Sequence, residues 1–108
     1  MSKIKELLKE NERVWFYIDT DEAGTRFMQE VEKMGGKFPD GSTVNENSCG
    51  KIMAFGRDKK VAYVTLKVWC MSFSQEQEIG KILKIDYGKY ERGEKDFVIK
   101  SCNFKRMN

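Results

Sequence analysis

The chain has 108 residues and a mass of 12.6 kDa, the size of one domain with one modest core. Hydrophobic residues make up 40% and charged residues 34% of it, which is not the composition of a disordered, collagenous or membrane-spanning chain. Histidine is absent, which excludes imidazole bases, Ser-His and Cys-His nucleophile pairs and histidine metal ligands. We therefore expect a single domain over residues 1–108, with a mobile tail at 100–108, no enzymatic activity and no cofactor or metal.

Charge is unevenly distributed along the chain. Lys and Arg number 20 against 17 Asp and Glu, a formal net charge of +3, but the first half is acidic and the second half basic. The N-terminal sequence MSKIKELLKENER contains no apolar segment of the kind found in signal peptides, and no long apolar run follows it. These features predict a cytoplasmic protein with no membrane partner, whose three cysteines are reduced.

Two elements are predicted before residue 20. Residues 3–10 place three aliphatic side chains on one face of a short helix, with Lys and Glu between them. Residues 14–18, VWFYI, form an uninterrupted run of β-branched and aromatic side chains. Such a run is typical of a strand that is buried on both faces.

The main helix is predicted over 21–34, where apolar residues recur at helical spacing. Asp19 or Thr20 is the predicted N-cap, and the acidic residues that follow complement the positive end of the helix dipole. Gly35 and Gly36 are predicted to end the helix, because glycine accepts the left-handed conformation of a helix stop.

A β-hairpin is predicted next. Residues 51–56 form its first strand and residues 57–60 its turn. Residues 61–71 alternate between two sets of side chains with a period of two, which predicts a long second strand with an apolar face and a less apolar face.

The last third of the chain is ambiguous, since residues 75–87 fit both a helical and a strand pattern. We favour a helical turn at 75–80 and a strand at 81–87, followed by a short closing strand or extended edge at 97–99. Together the elements predict an α+β fold: an antiparallel sheet of about four to five strands, with the helix at 21–34 packed on one face.

The sequence FYIDTDEAG at Phe16–Gly24 resembles the second acidic motif of Toprim domains, in which a strand ends in D-x-D-x-A-G before a helix. In that family the carboxylates hold Mg²⁺ for phosphoryl transfer, and the resemblance implies this role for Asp19, Asp21 and Glu22. The family's upstream glutamate motif has no counterpart here, because residues 1–13 are charged and helical in pattern. Helix capping explains the same acidic residues, so a Mg²⁺-dependent Toprim-like enzyme is an alternative.

Three groups of side chains are predicted to bind a ligand or partner. On the less apolar face of the strand at 61–71, aromatic rings lie beside a lysine, an arrangement suited to stacking on bases. The hairpin tip presents cations that contact phosphate or a partner surface, and the polar loop at 42–50 offers amides for hydrogen bonding. Core packing and solvated turn residues are the competing interpretations. The predicted binding residues are Tyr63, Lys67, Trp69, Arg57, Lys59, Lys60, Asn45 and Asn47.

Three stretches, at Arg26–Ser42, Lys51–Phe73 and Ile85–Ile99, together resemble small orphan proteins of phages and prophages of low-GC Gram-positive bacteria. Their order is a helix, a G-G-K-F-x-D-G turn, a hairpin ending in Trp, and D-Y-x-K-Y-x-x-G-E-x-D-F. Some phage proteins of this size block host defence by occupying a CRISPR effector or by sequestering an immune nucleotide signal. The resemblance implies a non-catalytic counter-defence protein in an infected or lysogenic bacterial host.

The partner implied is either a host defence protein or a small nucleotide signal, with a homodimer as one arrangement of the binding protein. A nucleic-acid-binding accessory protein is the second hypothesis, because aromatic residues are interleaved with the cations of the basic second half. The Toprim-like enzyme is the third.

Overall fold

A computed structural model of the chain describes residues 3–44, 48–73 and 82–100. Within these ranges the chain forms four helices and one four-stranded sheet, which confirms the α+β class. None of the described helices has the length and apolar character needed to cross a membrane. In chain order the elements are α1 (Lys3–Glu10), β1 (Arg13–Tyr17), α2 (Asp21–Lys33), β2 (Ile52–Gly56), β3 (Val61–Tyr63), α3 (Leu66–Ser72), β4 (Leu83–Asp86) and α4 (Tyr87–Glu91).

The sheet has the strand order β3-β2-β1-β4 and is mixed. β1 pairs antiparallel with β2, which pairs antiparallel with β3, as the predicted hairpin requires. β1 and β4 run parallel, with Tyr17 opposite Asp86. The prediction of a purely antiparallel sheet is therefore wrong. The apolar pattern of a strand does not encode its direction, and the chain between β1 and β4 is long enough for the crossover that a parallel pair needs.

Both faces of β1 are buried, because its alternate side chains enter two different cores. Phe16 packs in the first core, and Trp15 packs in the second core. The first core joins α1 and α2 to one face of the sheet, and the second joins α3 to the other. Helices therefore cover both faces, and the prediction of one main helix on one face is not confirmed. The buried residues of the first core include Ile4, Leu7, Leu8, Val14, Phe16, Ile18, Phe27, Val31, Phe55 and Ile85, and those of the second are Trp15, Ile52, Ala54 and Trp69.

The second strand of the hairpin is much shorter than predicted, since it ends at Tyr63 and α3 begins at Leu66. Thr65 is the N-cap of α3, and its hydroxyl accepts a hydrogen bond from the backbone N–H of Val68 at 3.2 Å. The residues at 61–71 alternate as in a strand. When residues 66–72 form a helix instead, Trp69 lies on the side of that helix that packs in the second core. Burial of this ring against the second face of the sheet favours the helix.

The two glycines after α2 form the predicted helix stop, and the helix ends at Lys33, one residue earlier than predicted. The N–H of Gly35 donates to the carbonyl of Glu32 at 3.0 Å, and the N–H of Gly36 donates to that of Val31 at 2.9 Å. Gly35 has a φ of 82°. These are the two hydrogen bonds and the left-handed residue of a Schellman motif.

Residues 97–99 extend the sheet along the outer side of β4, as predicted for a closing edge. The N–H of Asp86 donates to the carbonyl of Phe97, and the N–H of Ile99 donates to that of Lys84, both at 2.8 Å. β4 is shorter than the strand predicted at 81–87, because Asp86 caps a helix that begins at Tyr87. The turn predicted at 75–80 lies outside the described residues.

Candidate functional site

A cleft of about 860 Å³ lies where β1 ends, between the first turns of α2 and the segment at 48–51. Its floor is apolar and buried, formed by Ile18, Met28 and Val44. Its rim is polar and exposed and includes Asp19, Thr20, Asp21, Thr25, Gln29, Ser48 and Lys51. Small-molecule sites combine an apolar surface with polar groups, and in this cleft the polar residues outnumber the apolar ones.

Local hydrogen bonds place the two walls of the cleft. The N–H of Ile18 donates to the carbonyl of Lys51 at 2.7 Å and joins the end of β1 to the segment that leads into β2. Thr20 is the N-cap of α2, and its hydroxyl accepts a hydrogen bond from the N–H of Ala23 at 3.1 Å. Of the two predicted caps, the structure therefore selects Thr20 and leaves the carboxylate of Asp19 available at the rim.

The parallel partner strand brings a second helix start to the same end of the sheet. Asp86 is the N-cap of α4, and its carboxylate accepts a hydrogen bond from the N–H of Lys89 at 3.1 Å. Asp19 lies against this turn, since a Cβ atom built on Gly88 would meet its Oδ1 at 3.0 Å. The pKa of Arg92 is raised mainly by its hydrogen bond to Glu94, and the charges of Asp19 and Asp86 add to this effect.

Cys49 joins the two walls of the cleft by direct packing. A Cβ built on Gly24 of α2 would lie 3.2 Å from the Cβ and 3.3 Å from the Sγ of Cys49, so a glycine gives the closest fit here. The thiol donates a weak hydrogen bond to the carbonyl of Gly50 at 3.3 Å. Cys49 is a free thiol, whereas Cys70 is disulfide-bonded, so the prediction that all three cysteines are reduced is wrong for Cys70.

Burial raises the pKa of the Cys49 thiol to about 11. We therefore expect Cys49 to react with iodoacetamide at pH 7.5 at least tenfold more slowly than an exposed cysteine, whose pKa is about 8.5, because the thiolate is the reactive form. The rate, followed by peptide mass spectrometry, should rise toward pH 11. The stability that comes from the buried neutral thiol is present below about pH 8.5 and is lost as the pH rises through about 11. A rate that levels off near pH 8.5 in the folded protein would contradict this burial.

Among the predicted binding residues that the structure describes, Tyr63 is the one that contacts the cleft wall. Its hydroxyl donates to the carbonyl of Ser48 at 2.6 Å, and its ring stacks on Phe38 with centroids 5.2 Å apart. A Cβ built on Gly50 would meet the ring at 3.0 Å. The ring is 53% exposed and supports the wall of the cleft that carries Lys51.

The three cations of the hairpin tip lie at the other end of the sheet from the cleft. β2 begins beside the cleft and ends at the tip, and its five residues span roughly 14 Å. Arg57 donates to the carbonyl of Leu8 at 2.6 Å and to that of Lys9 at 2.9 Å, so it caps the end of α1. Lys59 has a φ of 66°, and it and Lys60 are exposed turn residues.

Replacing Arg57 by alanine should destabilise the protein by about 2 kcal/mol, because two charge-assisted hydrogen bonds to the end of α1 are lost. Chemical denaturation monitored by circular dichroism measures this loss. Lys60→Ala at the same turn is the matched control and should change stability by less than about 0.5 kcal/mol. Equal stability of the two variants would show that Arg57 does not cap α1.

Lys67 and Trp69 do not join the cleft. Lys67 is exposed on α3, and Trp69 is fully buried in the second core, 6.4 Å from the ring of Trp15. The predicted open sheet face that was to carry Tyr63, Lys67 and Trp69 together is wrong, because Tyr63 lies on β3 and the other two lie on a helix. Asn45 and Asn47 lie outside the described residues.

The polar loop predicted at 42–50 is anchored by Val44, whose side chain is buried in the floor of the cleft. Ser48 and Cys49 were predicted only as part of this loop, and Lys51 only as the start of the hairpin. Thr25, Met28 and Gln29 were not predicted as site residues. Their position one to two turns into the helix that follows β1 was the available signal.

The acidic residues at the start of α2 do not form a complete magnesium site in the part of the chain that the structure describes. Over residues 3–44, 48–73 and 82–100, no three side chains of Asp, Glu or Cys converge as metal ligands. Asp86 lies at the end of the neighbouring strand, but its carboxylate caps α4. The donor set therefore does not fit the centre that the Toprim resemblance implies.

No protein-family model matches this chain, and no curated protein or solved structure matches it either. The relation to phage and prophage proteins thus stays a prediction from the sequence. The cleft and the residues around it are therefore the structural features that indicate a function.

Proposed function

We propose that this protein is a non-catalytic binding protein that holds a small polar ligand of nucleotide size in the cleft beside β1. The observation that supports it best is the cleft itself, which has an apolar floor and a polar rim. It opens where β1 ends, between the start of α2 and the segment that leads into β2. Its volume of about 860 Å³ is within the usual range for small-molecule sites.

The chemistry of the cleft supports binding without turnover. Histidine is absent from the chain, and the thiol at the cleft, Cys49, has a pKa raised by burial, so it is a poor nucleophile at neutral pH. The hydroxyl of Thr20 is occupied by the N-cap hydrogen bond. Neither Cys49 nor Thr20 therefore supplies an activated nucleophile to a bound ligand.

Sequestration of a small nucleotide signal is the biological role that we propose for this binding, directed against a bacterial defence system in the host of a phage. The presence of a small-ligand cleft favours this form of counter-defence over the blocking of a CRISPR effector. The nucleic-acid-binding alternative is weakened, because Arg57 at the hairpin tip caps α1. A partner protein or nucleic acid would use a surface and not this cleft.

Calorimetric titration of the purified protein with AMP, GMP, 3′,5′-cyclic AMP, 3′,5′-cyclic GMP and ADP-ribose tests the proposal. We expect saturable binding of at least one of them, with no change in the nucleotide recovered afterwards. Thr25→Trp places a large ring at the rim and should abolish binding. Glu32→Trp is the matched control, because Glu32 is an exposed residue of the same helix two turns further on and outside the cleft.

Two results would overturn the proposal. One is the absence of binding with every nucleotide, and the other is equal binding by the Thr25→Trp variant and the wild-type protein. Conversion of a bound nucleotide into a product would refute the non-catalytic assignment. Mass spectrometry of the titrated sample detects such a product directly.

A further inference from the structure

We infer that the cleft recognises a ribonucleotide through its sugar, with the carboxylates of Asp19 and Asp21 accepting hydrogen bonds from the ribose hydroxyls and Lys51 facing the phosphate. The inference rests on the proposed function and adds the chemical class of the ligand and its orientation. It follows from where the charged groups lie around the cleft.

Asp19 and Asp21 stand on one wall of the cleft, at the junction of β1 and α2. Both are exposed, and within the described residues neither carboxylate makes a hydrogen bond or ion pair, although the charge of Asp19 acts on Arg92. An ionised carboxylate only accepts hydrogen bonds. It therefore pairs with a ligand group that donates, as ribose hydroxyls do, and it repels a phosphate.

The start of α2 is for the same reason a poor place for a phosphate. Asp21 and Glu22 occupy the first turn, and Thr20 already satisfies the N–H of Ala23. A helix start without these acidic residues attracts anions, but here the negative side chains already neutralise the positive end of the helix dipole. The phosphate of a bound nucleotide is thus excluded from this wall.

Lys51 stands on the other wall of the cleft and is its cation. Its side chain is exposed and makes no ion pair within the described ranges. Its backbone carbonyl is held by Ile18, and the neighbouring segment is held by Tyr63 through Ser48. This anchoring holds the backbone of Lys51 at the cleft, and its flexible side chain brings a positive charge within reach of the phosphate end of the ligand.

The buried floor between the two walls offers a surface for the base. Ile18, Met28 and Val44 are each no more than 9% exposed, and they are apolar. Because little of their area is left exposed, the floor gives a base an apolar contact but removes little further surface from water. With the base on the floor, the sugar hydroxyls face the aspartates and the phosphate faces Lys51.

The test compares AMP, GMP and ADP-ribose with AMP and GMP analogues that lack the 2′-hydroxyl, by calorimetric titration of the full chain. We expect each bound ribonucleotide to bind about tenfold to hundredfold more tightly than its 2′-deoxy analogue, the range that corresponds to one hydrogen bond to a charged group. Asp19→Asn and Asp21→Asn, singly or together, should reduce this ratio toward one. Lys51→Met should weaken both members of a pair equally and leave the ratio unchanged.

Gly88→Ala provides a variant that keeps every charge of the cleft. Its methyl group would meet Oδ1 of Asp19 at 3.0 Å and Nη1 of Arg92 at 3.3 Å, so the carboxylate must shift slightly, and the ratio should fall modestly if Asp19 holds the sugar. Glu32→Gln, which removes an exposed carboxylate of α2 outside the cleft, is the control and should change nothing. Thermal unfolding identifies any variant that does not fold. The ratio of the affinity for a ribonucleotide to that for its 2′-deoxy analogue is then compared among the variants that do fold.

The outcomes separate this inference from the proposed function. Equal affinity for the ribonucleotides and their 2′-deoxy analogues would overturn the inference, while the proposed binding role would stand. A ratio that survives the double replacement of Asp19 and Asp21 would also overturn it. Absence of binding by every nucleotide would overturn both.

Discussion

Replacing Trp69 by alanine should lower the free energy of unfolding by about 3–5 kcal/mol, the cost of emptying a fully buried aromatic site. The ring is 0% exposed, stacks on Trp15 at 6.4 Å and meets Phe73 edge-on at 5.4 Å. Trp69 is one of the four buried residues of the second core, so its removal takes away a large part of the packing on that face of the sheet. The melting temperature should fall by more than about 10 °C, measured by circular dichroism.

Lys67→Ala is the matched control, because Lys67 lies on the same helix and is exposed. Its effect should be within about 0.5 kcal/mol. The pair also decides between the two roles considered for Trp69. A ligand-stacking ring on an open surface would leave stability nearly unchanged on removal, so a wild-type melting temperature for Trp69→Ala would contradict the burial.

Gly36→Ala should destabilise the protein by about 3 kcal/mol, the upper part of the usual cost of overpacking. A Cβ at this position would overlap the Cγ1 of Val31 and would lie 3.0 Å from both the Cε1 of Phe55 and the carbonyl oxygen of Val31. The ring of Phe55 and the backbone carbonyl of Val31 cannot move away without disturbing the packing of α2 on the sheet. Urea denaturation should show a lower midpoint with an unchanged slope.

Gly35→Asn is the control for this variant, since nothing lies within 4 Å of the Cβ position of Gly35. Its φ of 82° is left-handed, and asparagine tolerates this region better than other residues with a side chain. The cost should be about 1 kcal/mol or less. If the two variants were equally stable, the close packing of Gly36 would be refuted.

Much of the first core was predictable from local patterns. The helical spacing of Ile4, Leu7 and Leu8 and the double glycine after α2 each require only neighbouring residues to be interpreted. The uninterrupted run in β1 predicted burial on both faces, and both faces are buried. Interactions between residues close in the chain are sufficient to specify these elements, and the tertiary structure contains each of them.

The candidate site was only partly predictable, because its walls come from segments distant in the chain. Asp19 and Asp21 attracted attention through their spacing after a strand. Their relation to Lys51 depends on the pairing of β1 with β2, in which Tyr17 lies opposite Ile52. The Arg57 side chain was predicted to bind a partner, but the docking of α1 gives it backbone carbonyls to cap.

By itself, the sequence determined the α+β class, the apolar strand β1, the glycine stop of α2 and the absence of histidine chemistry, since each depends on composition or on residues close in the chain. Only the tertiary structure decided that β4 runs parallel to β1 and that Trp69 lies in a helix. It also decided which polar groups surround the cleft. The reason is that strand direction, the choice between a strand and a helix for an alternating segment, and the meeting of two distant walls are all settled by which arrangement buries the most apolar surface.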